Sequence, residues 1–137
     1  MKTRSIILAT VLATGLATPA MAEQRYLAFF KYSDNAVKAM TENPQDRSAQ
    51  IAKLAESFGG YLEAAYWFPA GSEYDGMVIQ TFPDEVTAKG QDLFVRATGN
   101  IASTRNIPLM TSEDFKAAME KAKNIKSGYT PPTQTKQ

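Results

Sequence analysis

Between residues 25 and 122 the hydrophobic positions switch repeatedly between a period of two and a period near 3.6, and the switches mark the elements. Residues 25–32 are rich in Tyr, Phe and Leu and predict a strand. Its two faces are both apolar: Tyr26, Ala28, Phe30 and Tyr32 on one, Leu27 and Phe29 on the other. Ser33 and Asp34 are good helix N-caps, and Val37 with Met40 starts an apolar stripe. Pro44 interrupts that helix because proline cannot continue the hydrogen-bond ladder, and Asp46 restarts it as a second cap. Ile51, Leu54, Ala55 and Phe58 then fall at i, i+3, i+4 and i+7, and Gly59-Gly60 ends the run.

Residues 61–68 and 74–82 predict a second and a third strand joined by a hairpin loop longer than the two-residue minimum. Pro83-Asp84-Glu85 opens the next helix with acid in its first turn. Its expected buried stripe is Val86, Gly90, Leu93, Phe94 and Ala97, with Gly90 letting the helix sit close to the sheet. Gly99-Asn100 stops it. Residues 101–110 predict a fourth strand, and Pro108 demotes it to an edge. Thr111-Ser112-Glu113-Asp114 reads as a capping box ahead of a last helix whose stripe is Phe115, Ala118, Met119 and Ala122.

This order is strand-helix-strand-strand-helix-strand plus a C-terminal helix, an α+β class. Right-handed crossovers fold it into a ferredoxin-like βαββαβ split sheet of spatial order 4-1-3-2, antiparallel throughout. Helices can cover one face of such a sheet. Leu27 and Phe29 make the other face apolar as well, so a second subunit is expected there, a homodimer formed through the sheet face.

Residues 1–22 change the picture of where the chain works. A positive start at Lys2 and Arg4, a short apolar core and the small-x-small pattern Ala20-Met21-Ala22 predict a cleaved secretory signal peptide. The apolar run is shorter than the ~20 residues a membrane span needs. The expected product is exported, to a bacterial periplasm or the medium, with no membrane attachment after cleavage. It spans a domain at residues 23–126 and a disordered Gly-, Pro-, Thr- and Gln-rich tail at 127–137. Losing Lys2 and Arg4 moves the formal net charge of +1 to about one negative, which offers no basic field for nucleic acid. With no Cys, no disulfide supports the fold.

The 137 residues contain neither His nor Cys. Zinc sites, haem-His ligation, Ser-His-Asp triads and Cys nucleophiles are thereby excluded. No metal or cofactor is expected. The mature methionines Met40, Met77, Met110 and Met119 are scattered over different elements, which suits packing better than a thioether copper site.

The aromatic first strand ending at Tyr32, Asp46-Arg47, Gly59-Gly60, Tyr66-Trp67, Glu73-Tyr74-Asp75, Pro83-Asp84 and Gly99-Asn100 occur in order and at close spacing. Over residues 25–122 they make the chain resemble the GYD-domain family, named for a Gly-x-Tyr-Asp-like turn. The resemblance implies a ferredoxin-like domain of the dimeric α+β barrel type whose biochemical role is not established. Ser72 stands where the family glycine precedes Glu-Tyr-Asp, with Gly71 one residue earlier, and Ala102 where an arginine usually follows Gly-Asn. The strand after Gly-Asn is also one residue longer. No role of that arginine carries over.

In a 4-1-3-2 sheet, strands 1 and 2 end where strands 3 and 4 begin. Tyr32, Trp67, Tyr74, Asp75 and Asn100 are therefore expected at one end, near Arg96, as the lining of a ligand pocket. Asp75 has two readings. It is a general base, working with Tyr74 or Tyr32, if aromatic walls desolvate it. It is structural if it pairs with Arg96 or accepts backbone N–H groups at the turn or the Ser33 helix start. Tyr66 and Trp67 point to opposite faces, and alternation groups Tyr74 with Val78 and Gln80 on a partly polar face. Glu73, Lys31, Arg105 and Arg47 read as solvated or flanking charges. The leading functional reading is a dimeric domain that holds a small apolar ligand. The alternative is a cofactor-independent monooxygenase- or isomerase-like enzyme using Asp75 and a Tyr for proton transfer.

Overall fold

A computed structural model describes residues 23–129. The elements run β1 (Gln24–Tyr32), α1 (Asp34–Glu42), α2 (Arg47–Ser57), β2 (Tyr61–Trp67), β3 (Gly76–Phe82), α3 (Glu85–Ala97), β4 (Ile101–Leu109) and α4 (Ser112–Asn124). The signal peptide expected at residues 1–22 and most of the tail lie outside the described residues.

Local chemistry sets the ends of these elements. Ser33 caps α1 by accepting the Ala36 N–H at 3.2 Å, and Asp46 caps α2 by accepting from Ser48 and Ala49. Two separate helices result, with Pro44 in the break between them. At the end of α2 the Gly59 and Gly60 N–H groups return to the Glu56 and Ala55 carbonyls, both at 2.9 Å. Gly59 makes this possible with φ of 71°, a left-handed conformation that costs glycine little. The capping box at Thr111 and Asp114 opens α4 as the spacing predicts.

The four strands form one sheet in the order β2-β3-β1-β4, which is the split order 4-1-3-2 taken from the other edge. Every pairing is antiparallel. β4 lies on an edge, where Pro108 can be accommodated. Helices α1, α2 and α3 lie over one face, and the core is made there by Phe30, Ala36, Ala55, Val78 and Phe82.

The opposite face carries Leu27 and Phe29 of β1, Met77 and Ile79 of β3, Ala64 and Tyr66 of β2, and Ile107 and Leu109 of β4, brought side by side by the register. α4 does not cover it. Every residue of α4 is exposed, Phe115 and Met119 included. Phe68 and Tyr74 fold onto this face against Phe29, with ring centroids 6.1 and 5.5 Å away. At one end Glu63 bridges Arg25 and the Thr81 hydroxyl.

Two local expectations are corrected, and the face of Trp67, left open by the sequence, is decided. β3 begins at Gly76, so the alternation that grouped Tyr74 with Val78 and Gln80 does not extend back to residue 74. Residues 72–75 turn instead, and Tyr74 ends on the open face. A bulge at Glu63 in the β2–β3 pairing shifts every later side chain of β2 by one position. Trp67, which shares a parity with Tyr61, is thereby turned to the helix side, while Tyr61 faces the open side. The second correction concerns α3. Val86, Leu93, Phe94 and Ala97 are exposed, and the helix buries Gln91 and Asp92 instead. The sheet residues facing α3 are Gln80, Thr104 and Asn106, so the helix turns its polar side inward to satisfy them. Gly90 and Phe94 meet Phe58 at the end of α2 rather than the sheet.

Candidate functional site

The helices do not close on the sheet. Between α1 and α2 on one side and α3 on the other runs a groove of about 830 Å³, floored by β1, β3 and β4. Its volume lies in the range of small-molecule sites. Ile51 and Leu54 of α2, Met40 of α1, Val95 of α3 and Val78 and Phe82 of β3 give it apolar walls. Tyr26 lies in the floor, with its ring 6.5 Å from that of Phe82. Burial, with the charge of Glu85 behind it, holds the Tyr26 hydroxyl above its usual pKa.

A polar strip crosses this apolar groove on the α3 side. The Gln91 carboxamide Nε2 donates to Gln80 Oε1 at 2.9 Å, and both side chains are more than nine-tenths buried. Asp92, one residue on, accepts at Oδ1 from the Thr104 hydroxyl at 2.7 Å and from Asn106 Nδ2 at 3.1 Å. Its Oδ2 takes Lys89 Nζ at 2.7 Å. Burial alone would raise the Asp92 pKa, but the hydrogen bonds from Lys89, Thr104 and Asn106 outweigh it and hold the carboxyl below its ordinary value. Asp92 therefore stays charged and ties α3 to β4.

Three buried polar atoms in the walls of the groove have no hydrogen-bond partner in the structure: Gln80 Nε2, Gln91 Oε1 and Arg47 Nε. Among the described residues no three His, Cys, Asp or Glu side chains gather as a metal-binding group.

The residues singled out from the sequence gather in part. Trp67 Nε1 donates to the Tyr32 hydroxyl at 3.3 Å, and both rings pack edge-on against Phe30. Asp75 Oδ2 accepts the Tyr32 N–H at 2.8 Å, and the Asn100 carbonyl accepts the Ser33 N–H at 2.9 Å. Tyr32 and Asn100 line one end of the groove, while Trp67 and Asp75 hold Tyr32 from outside it. Tyr74 is separated from this group by the sheet. Arg96 approaches Asp92 Oδ2 at 3.9 Å rather than Asp75.

Sequence reasoning missed Gln91 and Asp92. The signal was present: once Gln80, Thr104 and Asn106 are assigned to the helix-facing side of the sheet, a covering helix must bring polar partners to meet them. The only pair of adjacent polar groups on α3 that fits is Gln91-Asp92, which the apolar stripe concealed.

Comparison with curated proteins finds no match. Among solved structures, the chain is similar to the 30S ribosomal protein S6 of Thermotoga maritima at 19% identity, over 75% of this chain and 100% of that one, with a TM-score of 0.44. That likeness is too slight to carry an argument, and the ferredoxin-like assignment stands on strand order and pairing. The family comparison is of a different weight, because the GYD-domain model matches residues 26–119, from the first strand into the last helix. With that span matched and the split α+β sheet in place, this chain belongs to the GYD-domain family.

Proposed function

We propose that the protein is an exported homodimer that binds a small, mainly apolar molecule in each subunit. The observation that carries the binding reading is the groove between helices and sheet, roomy, apolar in its walls and equipped with a few buried polar groups. The dimer is supported by the opposite face. Phe29, Leu27, Ile79 and Ile107 form a continuous apolar surface over which, among the described residues, no helix is packed. A specific interface needs on the order of 1,600 Å² in total, and a four-stranded face is large enough to supply it. Export is supported by the leader pattern of residues 1–22.

The two surfaces have separate tasks in this reading. Pairing through the sheets covers the apolar face and leaves the groove, on the far side of each sheet, open for its ligand. Size-exclusion chromatography with light scattering at micromolar concentration is expected to give the mass of two chains. Native mass spectrometry of protein purified from its own compartment is expected to show a retained mass on each chain. A single-chain mass overturns the dimer. A bare chain that also takes up no apolar probe overturns the binding reading.

A further inference from the structure

The free atoms of the Gln80–Gln91 pair have a chemistry of their own. The hydrogen bond from Gln91 Nε2 to Gln80 Oε1 leaves one carboxamide nitrogen and one carboxamide oxygen without partners. Exchanging O and N in both side chains preserves the bond and again leaves one donor and one acceptor. A single exchange would set two like atoms against each other. Whichever orientation holds, the pair presents one N–H and one C=O beside an apolar cavity.

Leaving both unpaired and buried is costly, and the loss is recovered when a group bearing an acceptor and a donor reaches them. We infer that the groove binds a neutral molecule carrying an amide-like edge, a primary carboxamide or a lactam, on an apolar body. This rests on the ligand-binding reading of the groove and names the chemistry of the ligand. A carboxylate has acceptors only, so it would leave Gln91 Oε1 unpaired and set oxygen against oxygen. A hydrocarbon would leave both atoms unpaired. The two atoms are shielded from bulk solvent, and the terminal carboxamide torsions, which are broad and soft, let them turn toward an entering group. Ile51, Leu54, Val78 and Phe82 are placed to take the apolar body.

The test uses the full mature chain and three probes that share one butylphenyl body: 4-butylbenzamide, its N,N-dimethyl amide and butylbenzene. Isothermal titration is expected to rank the primary amide about tenfold or more tighter than the other two. In the paired variant Gln80→Leu/Gln91→Leu that preference should vanish while butylbenzene still binds. Because the ranking is read on the wild-type protein, the test stands even where the variant folds poorly. Equal affinities for all three probes, or a dimethyl amide as tight as the primary amide, would show that water or neighbouring groups already satisfy the pair. That result overturns the amide inference and leaves the ligand-binding groove intact. No binding of any probe removes the groove reading along with it.

Discussion

Asp92 shows how one side chain decides the character of a helix. It sits on the inward side of α3, 8% exposed, and collects hydrogen bonds from Lys89 on its own helix and from Thr104 and Asn106 on β4. A carboxylate so placed costs free energy to bury, and it is kept because every partner around it is a donor. Since its folded-state pKa lies below the unfolded value, the charged form is favoured by folding. The stability it contributes is present above the unfolded carboxyl pKa and is lost as pH falls through the lower folded value. Asp92→Asn is therefore expected to cost about 1–3 kcal/mol in urea unfolding near neutral pH. The gap to wild type should close in acid, where both side chains are neutral. A gap that stays constant from neutral to acid pH would show that the charge has no part in it.

At the scale of the element, two of the glycines that face aromatic rings, Gly76 and Gly90, separate close approach from convenience. Gly76 opens β3 between Phe30 and Trp67, and a Cβ there would lie 2.5 Å from the Tyr66 carbonyl oxygen and 2.6 Å from Phe30 Cζ. Gly90 lies inside α3, where a Cβ would meet Phe58 Cε1 at 3.5 Å, an ordinary contact. Gly90→Ala is expected to raise stability by about 0.5–1 kcal/mol through helix propensity. Gly76→Ala is expected to lower it by about 1–3 kcal/mol through overpacking. Paired denaturant midpoints check both signs, and a stabilised Gly76→Ala would contradict the backbone approach described here. The same elements show what the sequence could convey. Caps at Ser33, Asp46 and Thr111 and the glycine stop after α2 are local chemistry, so they were legible, and with the strand order they led to the split sheet. The bulge at Glu63 has no composition of its own, so the face taken by Trp67 depends on the register against the partner strand β3 rather than on the residues beside it. On α3 two stripes compete, one apolar and one polar. Helical periodicity favours the apolar one, and only the polar floor of the sheet decides for Gln91 and Asp92. The groove draws its lining from six elements, β1, α1, α2, β3, α3 and β4, so no single stretch of sequence announces it.

For the whole molecule the decisive asymmetry lies between the two faces of the sheet. One holds the core and the groove; the other presents Leu27, Phe29, Ile79 and Ile107 with no helix of the described residues upon it. If two such faces meet about a two-fold axis, each residue near the axis meets the partner's copy of the same patch. One charged substitution then puts two like charges into the seam. Ile79 is the residue to change, since it lies on the central strand β3 between Leu27 and Ala64 and faces away from the helices. In a free subunit a lysine there can lay its stem along the face and keep its ammonium in water, so the fold should persist. Ile79→Lys is accordingly expected to give a single-chain mass by light scattering with an unchanged far-ultraviolet circular dichroism spectrum. The wild-type protein should melt at higher temperature as its concentration rises over about two orders of magnitude, because association draws on the folded state alone. The variant should lose that dependence. A wild-type melting temperature independent of concentration, or an Ile79→Lys protein that still runs as two chains, would mean that the apolar face is covered in some other way and that the sheet is not the seam.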